Sequence, residues 1–195
     1  MKKDVFAVEI IQDSLLAIGD EMFIALARSS MSPVDYACGL TDAKGNLISQ
    51  GNGVTSFIGM LSPMVQRVIE KFDNGKKLHE GDVIIINDPY VGGGSHLSDV
   101  GLVLPIFYNG EIIAYSANKA HWTEVGGMDP GSFTSNSNEI YQEGLQLPGV
   151  KLYHQGELND AVYEIISTNV RLPELSIGDM FAQVAALKTG EKRIA

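Results

Sequence analysis

The chain has 195 residues, 45% of them hydrophobic, which is ample for one core and marginal for two domains. A net charge of −10 with no basic stripe gives no footprint for nucleic acid, and no apolar run reaches the ~18 residues a membrane span needs. A single cysteine, Cys38, excludes an internal disulfide and suits a reducing compartment, and the acids Asp4, Glu9 and Asp13 interrupt any signal-like N-terminus, so a cytoplasmic protein is expected.

From about Asp4 to Ser29 apolar residues recur near helical period, at Phe6, Ile10, Leu15, Ile18, Met22 and Leu26. Val8, Ile11, Leu16, Phe23 and Ile24 widen that face, so the helix is expected between layers or against a partner chain. Ser32-Pro33 is its expected stop. Val34 to Gln50 reads as two strands joined through Asp42-Ala43-Lys44-Gly45-Asn46. A Gly/Ser loop, 51–59, leads to a helix predicted over Met60 to Phe72 and closed by Asp73-Asn74-Gly75. Val83 to Asn87 has the length and β-branching of a buried strand. Val100 to Phe107 and Glu111 to Asn118 form a hairpin across Asn109-Gly110, with His121 just past its second arm. Trp122 to Asn138 is polar and irregular, and Glu139 to Lys151 is extended around Pro148-Gly149. Two helices follow, near Asn159 to Asn169 and Pro173 to Lys188. The expected fold class is α+β (mixed α/β): hairpins and a central sheet packed with a long N-terminal helix and C-terminal helices, in one domain.

Chemistry concentrates in Asn87 to Asp99, NDPYVGGGSHLSD, where a buried strand breaks into a glycine-rich loop. Glycines let backbone approach a ligand closely. His96 and Asp99, three residues apart, and His121 at another strand end supply two imidazoles and a carboxylate. That set suits Zn²⁺, Mn²⁺ or Fe²⁺ with an open position for water or substrate. The same residues also fit a bland account, with Asp88 and Asp99 capping turns and His96 satisfied by backbone. Gly92-Gly93-Gly94 lacks the endings of a phosphate loop, so close packing is its expected role. Cys38 is expected to be buried and inert, Trp122 to pack, and His79 and His154 to lie on the surface. Glu124, Asp129, Glu139 and Glu143 read as a solvated face from which any one acid could act as a general base.

Five blocks in fixed order resemble the hydantoinase B family: VDYACGLTDAKGNLISQ, GDVIIINDPYVGGGSHLSDV, NKAHWTEVGGMDPGS, EGLQLPGVKL and RLPELSIGDMFAQVAAL. That family includes B subunits of ATP-dependent hydantoinases, the C-terminal part of 5-oxoprolinase, lactam-opening relatives and acetone and acetophenone carboxylase subunits. Its members are longer, so the resemblance implies that 1–195 is the N-terminal portion of a B-type subunit whose C-terminal remainder is a further partner. It implies metal ligands at His96, Asp99 and His121, and a further one at Asp35, with Zn²⁺ or Mn²⁺ as the ion. Ser98 stands where the family often has proline, and Met31-Ser32-Pro33-Val34 replaces an arginine-rich approach. The implied function is ring opening of a hydantoin, oxoproline or other lactam after an A-type subunit uses ATP to phosphorylate it. The same architecture also accommodates ATP-dependent carboxylation of a ketone, and a non-catalytic assembly fragment is the reading from outside enzymology.

Overall fold

Residues 5–30, 35–73, 77–92 and 94–194 are described by the computed structural model of the chain. Val83–Ile86 is a strand (β3) with all four side chains buried, because it lies inside a sheet covered on both faces. The other strands are β1 (Tyr36–Asp42), β2 (Leu47–Gln50), β4 (Asp99–Tyr108), β5 (Glu111–His121), β6 (Pro148–His154) and β7 (Glu157–Leu158). They form one sheet in the order β2-β1-β5-β4-β3-β6-β7, antiparallel at every pairing. With the helices α1 (Val5–Ser29), α2 (Thr55–Asp73), α3 (Asp160–Asn169) and α4 (Pro173–Ile194), the fold is α+β as expected.

Alternation along the strands sorts side chains into two cores. Val83, Ile85, Leu102, Leu104 and Ile106 pack with Ile18, Met22 and Leu26 of α1 and Met180, Val184 and Leu187 of α4. Ile84, Ile86, Val103, Tyr115 and Ala117 face the other way, onto Leu61, Met64, Val65 and Val68 of α2. The β4–β5 turn uses Asn109 and Gly110 at φ 52° and 82°, the left-handed pair a two-residue hairpin requires.

Two expectations need correction. Helix α2 begins at Thr55, five residues before the predicted start, and carries Pro63 within it. Its buried stripe already starts at Phe57 and runs on through Leu61, Met64, Val65 and Val68. Helix α1 is covered by this chain on one face only: Phe6, Ile10, Ile11 and Leu16 are exposed, so of its two expected settings the one between layers is not met. The expected stop at Ser32-Pro33 and the Asn74-Gly75 breaker lie outside the described residues.

Helix α1 crosses the β2 end at backbone distance, and Ser49 Oγ donates to the Leu15 carbonyl there. A Cβ on Gly19 would stand 2.6 Å from the Gln50 carbonyl carbon and 2.7 Å from its oxygen. Alanine favours a helix interior by about 1 kcal/mol over glycine, so a loss on substitution isolates the clash. Gly19→Ala should destabilise the protein by ~2–3 kcal/mol, read as a fall of about 5–10 °C in thermal midpoint. An unchanged or raised midpoint would contradict this close approach.

Candidate metal centre

Three strand termini meet at one end of the sheet. Asp99, the first residue of β4, sits opposite His121, the last residue of β5. Tyr36 of β1 pairs with Ala120, and the His121 N–H donates to the Asp35 carbonyl at 2.9 Å. His96 enters from the turn before β4, where the Asp99 N–H donates back to the His96 carbonyl and buried Leu97 anchors the loop. Buried Trp122 fixes the other side: its N–H donates to Ser98 O, and its indole N–H donates to Gln183 Oε1 on α4 at 2.8 Å.

The geometry is tight. His96 Nε2 lies 3.0 Å from Asp99 Oδ1, and the His96 and His121 rings are 5.0 Å apart between centroids. One potential ligand atom from each of His96, Asp99 and His121 lies within 4.8 Å of the other two. Asp99 is buried, and its two oxygens are treated differently. Oδ2 accepts from the Ser95 hydroxyl at 2.7 Å and the Ser95 N–H, as a turn cap does. Among the described residues Oδ1 takes no aligned hydrogen bond; its neighbour is His96 Nε2 at 3.0 Å, an ion-pair partner only when that ring is protonated. A buried carboxylate oxygen without a donor costs free energy unless a cation faces it, so the donor set fits a divalent metal.

Electrostatics agree with an ionised Asp99. Burial alone pushes its carboxyl up, but His96 and Ser95 outweigh that and hold it below the usual carboxylate range. The adjacent carboxylate raises the His96 imidazole, against the opposing effect of burial. Lys119, fully buried in β5, donates from Nζ to the Asp99 carbonyl at 2.9 Å, and burial pushes its amine down to about 8. Gly94 has no space for a side chain: a Cβ there would fall 2.9 Å from Asp99 Cβ and 3.0 Å from Lys119 Nζ. That is the close packing expected of the glycine run.

Asp35 adjoins the trio. It is exposed and contributes its backbone carbonyl, and its carboxylate is not among the three clustered groups. Glu124 corrects the solvated-face expectation most sharply. It is 1% exposed, and its carboxylate accepts from Gly126 N–H, Gly131 N–H, Ser132 Oγ and Arg171. Cys38 and Trp122 are buried as expected.

His79 and His154 are exposed but not isolated. They flank buried Asp82 together with Lys151. The Lys151 ammonium stands 2.7 Å from Asp82 Oδ2 and 3.4 Å from Nδ1 of each imidazole. The chain's own cation therefore occupies the place a metal would take.

The model of the hydantoinase B/oxoprolinase family matches residues 4–195. The chain belongs to that family. It is 36% identical over 98% of its length to a protein provisionally named as the B-type subunit of a D-/L-hydantoinase, from a Pseudomonas species. It is 34% identical over 98% of its length to the β-subunit of caprolactamase from Pseudomonas jessenii. Those matches span 34% and 33% of the relatives, so the chain has about a third of their length. The crystal structure of ATP-dependent caprolactamase from Pseudomonas jessenii superposes with a TM-score of 0.92 at 33% identity, over all of this chain and 34% of that one. A nucleotide-free acetone carboxylase structure superposes with a TM-score of 0.92 over 99% of this chain and 26% of that one; at 18% identity this shows the fold alone. Among the described residues, no helix is long and apolar enough to cross a membrane.

Proposed function

We propose that this chain is the metal-bearing N-terminal part of a B-type subunit in an ATP-dependent enzyme that opens a cyclic amide or imide. The observation that carries this is the meeting of His96, Asp99 and His121 around a buried carboxylate oxygen that, among the described residues, receives no aligned hydrogen bond. These three would hold a Zn²⁺ or Mn²⁺ ion, which when bound supplies Lewis acidity and a bound water of lowered pKa. An A-type partner would use ATP to phosphorylate the substrate oxygen, because a resonance-stabilised amide is a poor electrophile and its O-phosphorylated form a good one. Water then attacks beside this centre. Hydrolysis is preferred to carboxylation because two relatives above 30% identity carry hydantoinase and caprolactamase names, whereas the carboxylase likeness is one of fold.

The test is elemental analysis of the purified chain, followed by ATP-dependent ring opening of hydantoin, 5-oxoproline or caprolactam with the A-type partner present. One divalent ion per chain is expected, not two, since Lys151 fills the second cluster. Absence of metal from protein grown and purified with Zn²⁺ or Mn²⁺ would defeat the reading, and two ions would defeat the assignment of Lys151.

A further inference from the structure

Beside His96 is a cavity of about 310 Å³ lined by Ser95, His96, Ser132, Phe133, Thr134 and Glu143. Most of its polar side chains are already engaged. Ser95 Oγ donates to Asp99. Ser132 Oγ donates to Glu124 and accepts from the Val125 and Gly127 N–H groups. Thr134 Oγ1 accepts from the Asn136 N–H. Among the described residues, the Glu143 carboxylate takes no hydrogen bond and no ion pair. Glu143 and His96 line the same cavity, so the carboxylate borders the space beside the metal loop.

The backbone around Glu143 is held in place from several sides. A 3₁₀ turn, Ile140–Gln142, ends on it, and the Glu143 N–H donates to the Ile140 carbonyl. On either side, Met128 N–H donates to Gln142 O and Leu145 N–H donates to Val125 O, both at 2.7 Å. Gly144, at φ +137°, lies where a Cβ would come 2.6 Å from Val125 O. Buried Asn87 then ties this segment to the metal loop: Nδ2 donates to Leu97 O and Leu145 O, and Oδ1 accepts from the Leu147 N–H. Of the nearby acids, Glu124 is saturated with donors, and the Glu139 backbone carbonyl accepts from the Gln142 N–H.

We propose that Glu143 is the proton carrier of this site, a catalytic residue that relays a proton from the attacking water to the ring nitrogen of the activated substrate. This rests on the metal-dependent ring-opening reading above. In an O-phosphorylated lactam the ring carbon is doubly bonded to nitrogen. Water adds across that bond: its oxygen forms the new C–O bond, and the C=N π pair moves to nitrogen. The released proton goes to Glu143, which returns it to the nitrogen and ends ionised again. The ring C–N bond then breaks, nitrogen keeping the pair and taking the hydroxyl proton, to leave an amine and an acyl phosphate. A base held close to the reacting water contributes about 10²–10⁴-fold in rate.

The experiment loads the chain with Co²⁺ and titrates it with acetohydroxamic acid, followed through the cobalt visible spectrum. This probe binds a metal as its anion, and a carboxylate beside it strengthens the complex by taking the released proton and holding it in a hydrogen bond to that anion. Glu143→Gln should retain the same cobalt content while its dissociation constant rises roughly ten- to hundredfold. Glu143→Asp should recover part of the loss, and Glu139→Gln should bind as wild type. Equal affinity in Glu143→Gln at equal cobalt content overturns the carrier and leaves the metal centre standing. Failure of the wild-type chain to bind cobalt overturns both. In the assembled enzyme, Glu143→Gln should lower kcat for ring opening about 10²–10⁴-fold with metal content unchanged.

Discussion

A protein carrying His96→Ala and His121→Ala together should lose its divalent metal while keeping its fold. Each imidazole is only half-buried, and neither belongs to the apolar clusters that hold the helices to the sheet. Asp99 would keep its Ser95 hydrogen bonds but lose His96 and the cation facing Oδ1, so the thermal midpoint should fall by the equivalent of ~1–3 kcal/mol, short of unfolding. Metal affinity should fall far more. Removing even an outer partner of a metal ligand costs 10–100-fold, so two lost ligands should weaken binding by more than about 10³-fold. Equilibrium dialysis with Zn²⁺ or Mn²⁺, beside a thermal melt of the same samples, separates these effects. ATP-dependent ring opening, measured with the A-type partner, should disappear with the metal. Unreduced metal binding or full activity in the double variant would remove His96 and His121 from any role as ligands.

What the sequence reveals here follows from the range of the interactions. The hairpin at Asn109-Gly110 and the α3 cap at Asn159 are local, set by residues within a few positions of one another, and both are found where expected. The stripe of α2 was equally local, yet the glycines and serines before Met60 obscured its first turn. At Gly59 the structure has open space on the side a Cβ would occupy, so that glycine marks no close approach. His96, Asp99 and His121 could be named because histidines and carboxylates at strand ends are few. Their convergence was not legible, since it depends on the β4–β5 register that sets Asp99 opposite His121. The β1–β5 register likewise brings Asp35 beside His121 through its backbone carbonyl, with its side chain exposed. Glu124 was misread because its donors come from an irregular loop, Gly126 to Ser132, and from Arg171, 47 residues away, a fold-back that no local pattern marks.

Glu124→Gln should cost about 2–4 kcal/mol at neutral pH, because it replaces a buried carboxylate that receives two backbone N–H groups, a hydroxyl and a guanidinium. Burial pushes this carboxyl up, but Ser132, Gly131, Gly126 and Arg171 outweigh it and hold the group below the ordinary glutamate range. A folded-state pKa below the unfolded value means the unfolded chain binds the proton more readily. The stabilisation is therefore complete above the unfolded pKa of about 4.3 and drains away as pH falls through the lower folded value. Thermal midpoints measured from pH 7 down to about pH 3 should fall in the wild type and flatten in Glu124→Gln, while Arg171→Leu should lose part of the neutral-pH advantage. The same carboxylate fixes Ser132, which lines the cavity, and the turn that places Gly127 against the Glu143 carbonyl. Loosening it should also weaken acetohydroxamic acid binding to the cobalt-loaded chain, though less than Glu143→Gln does, since the acceptor remains but its backbone is freed. A Glu124→Gln protein with a wild-type neutral midpoint and an unaltered acid slope would show that the carboxylate does not hold this loop.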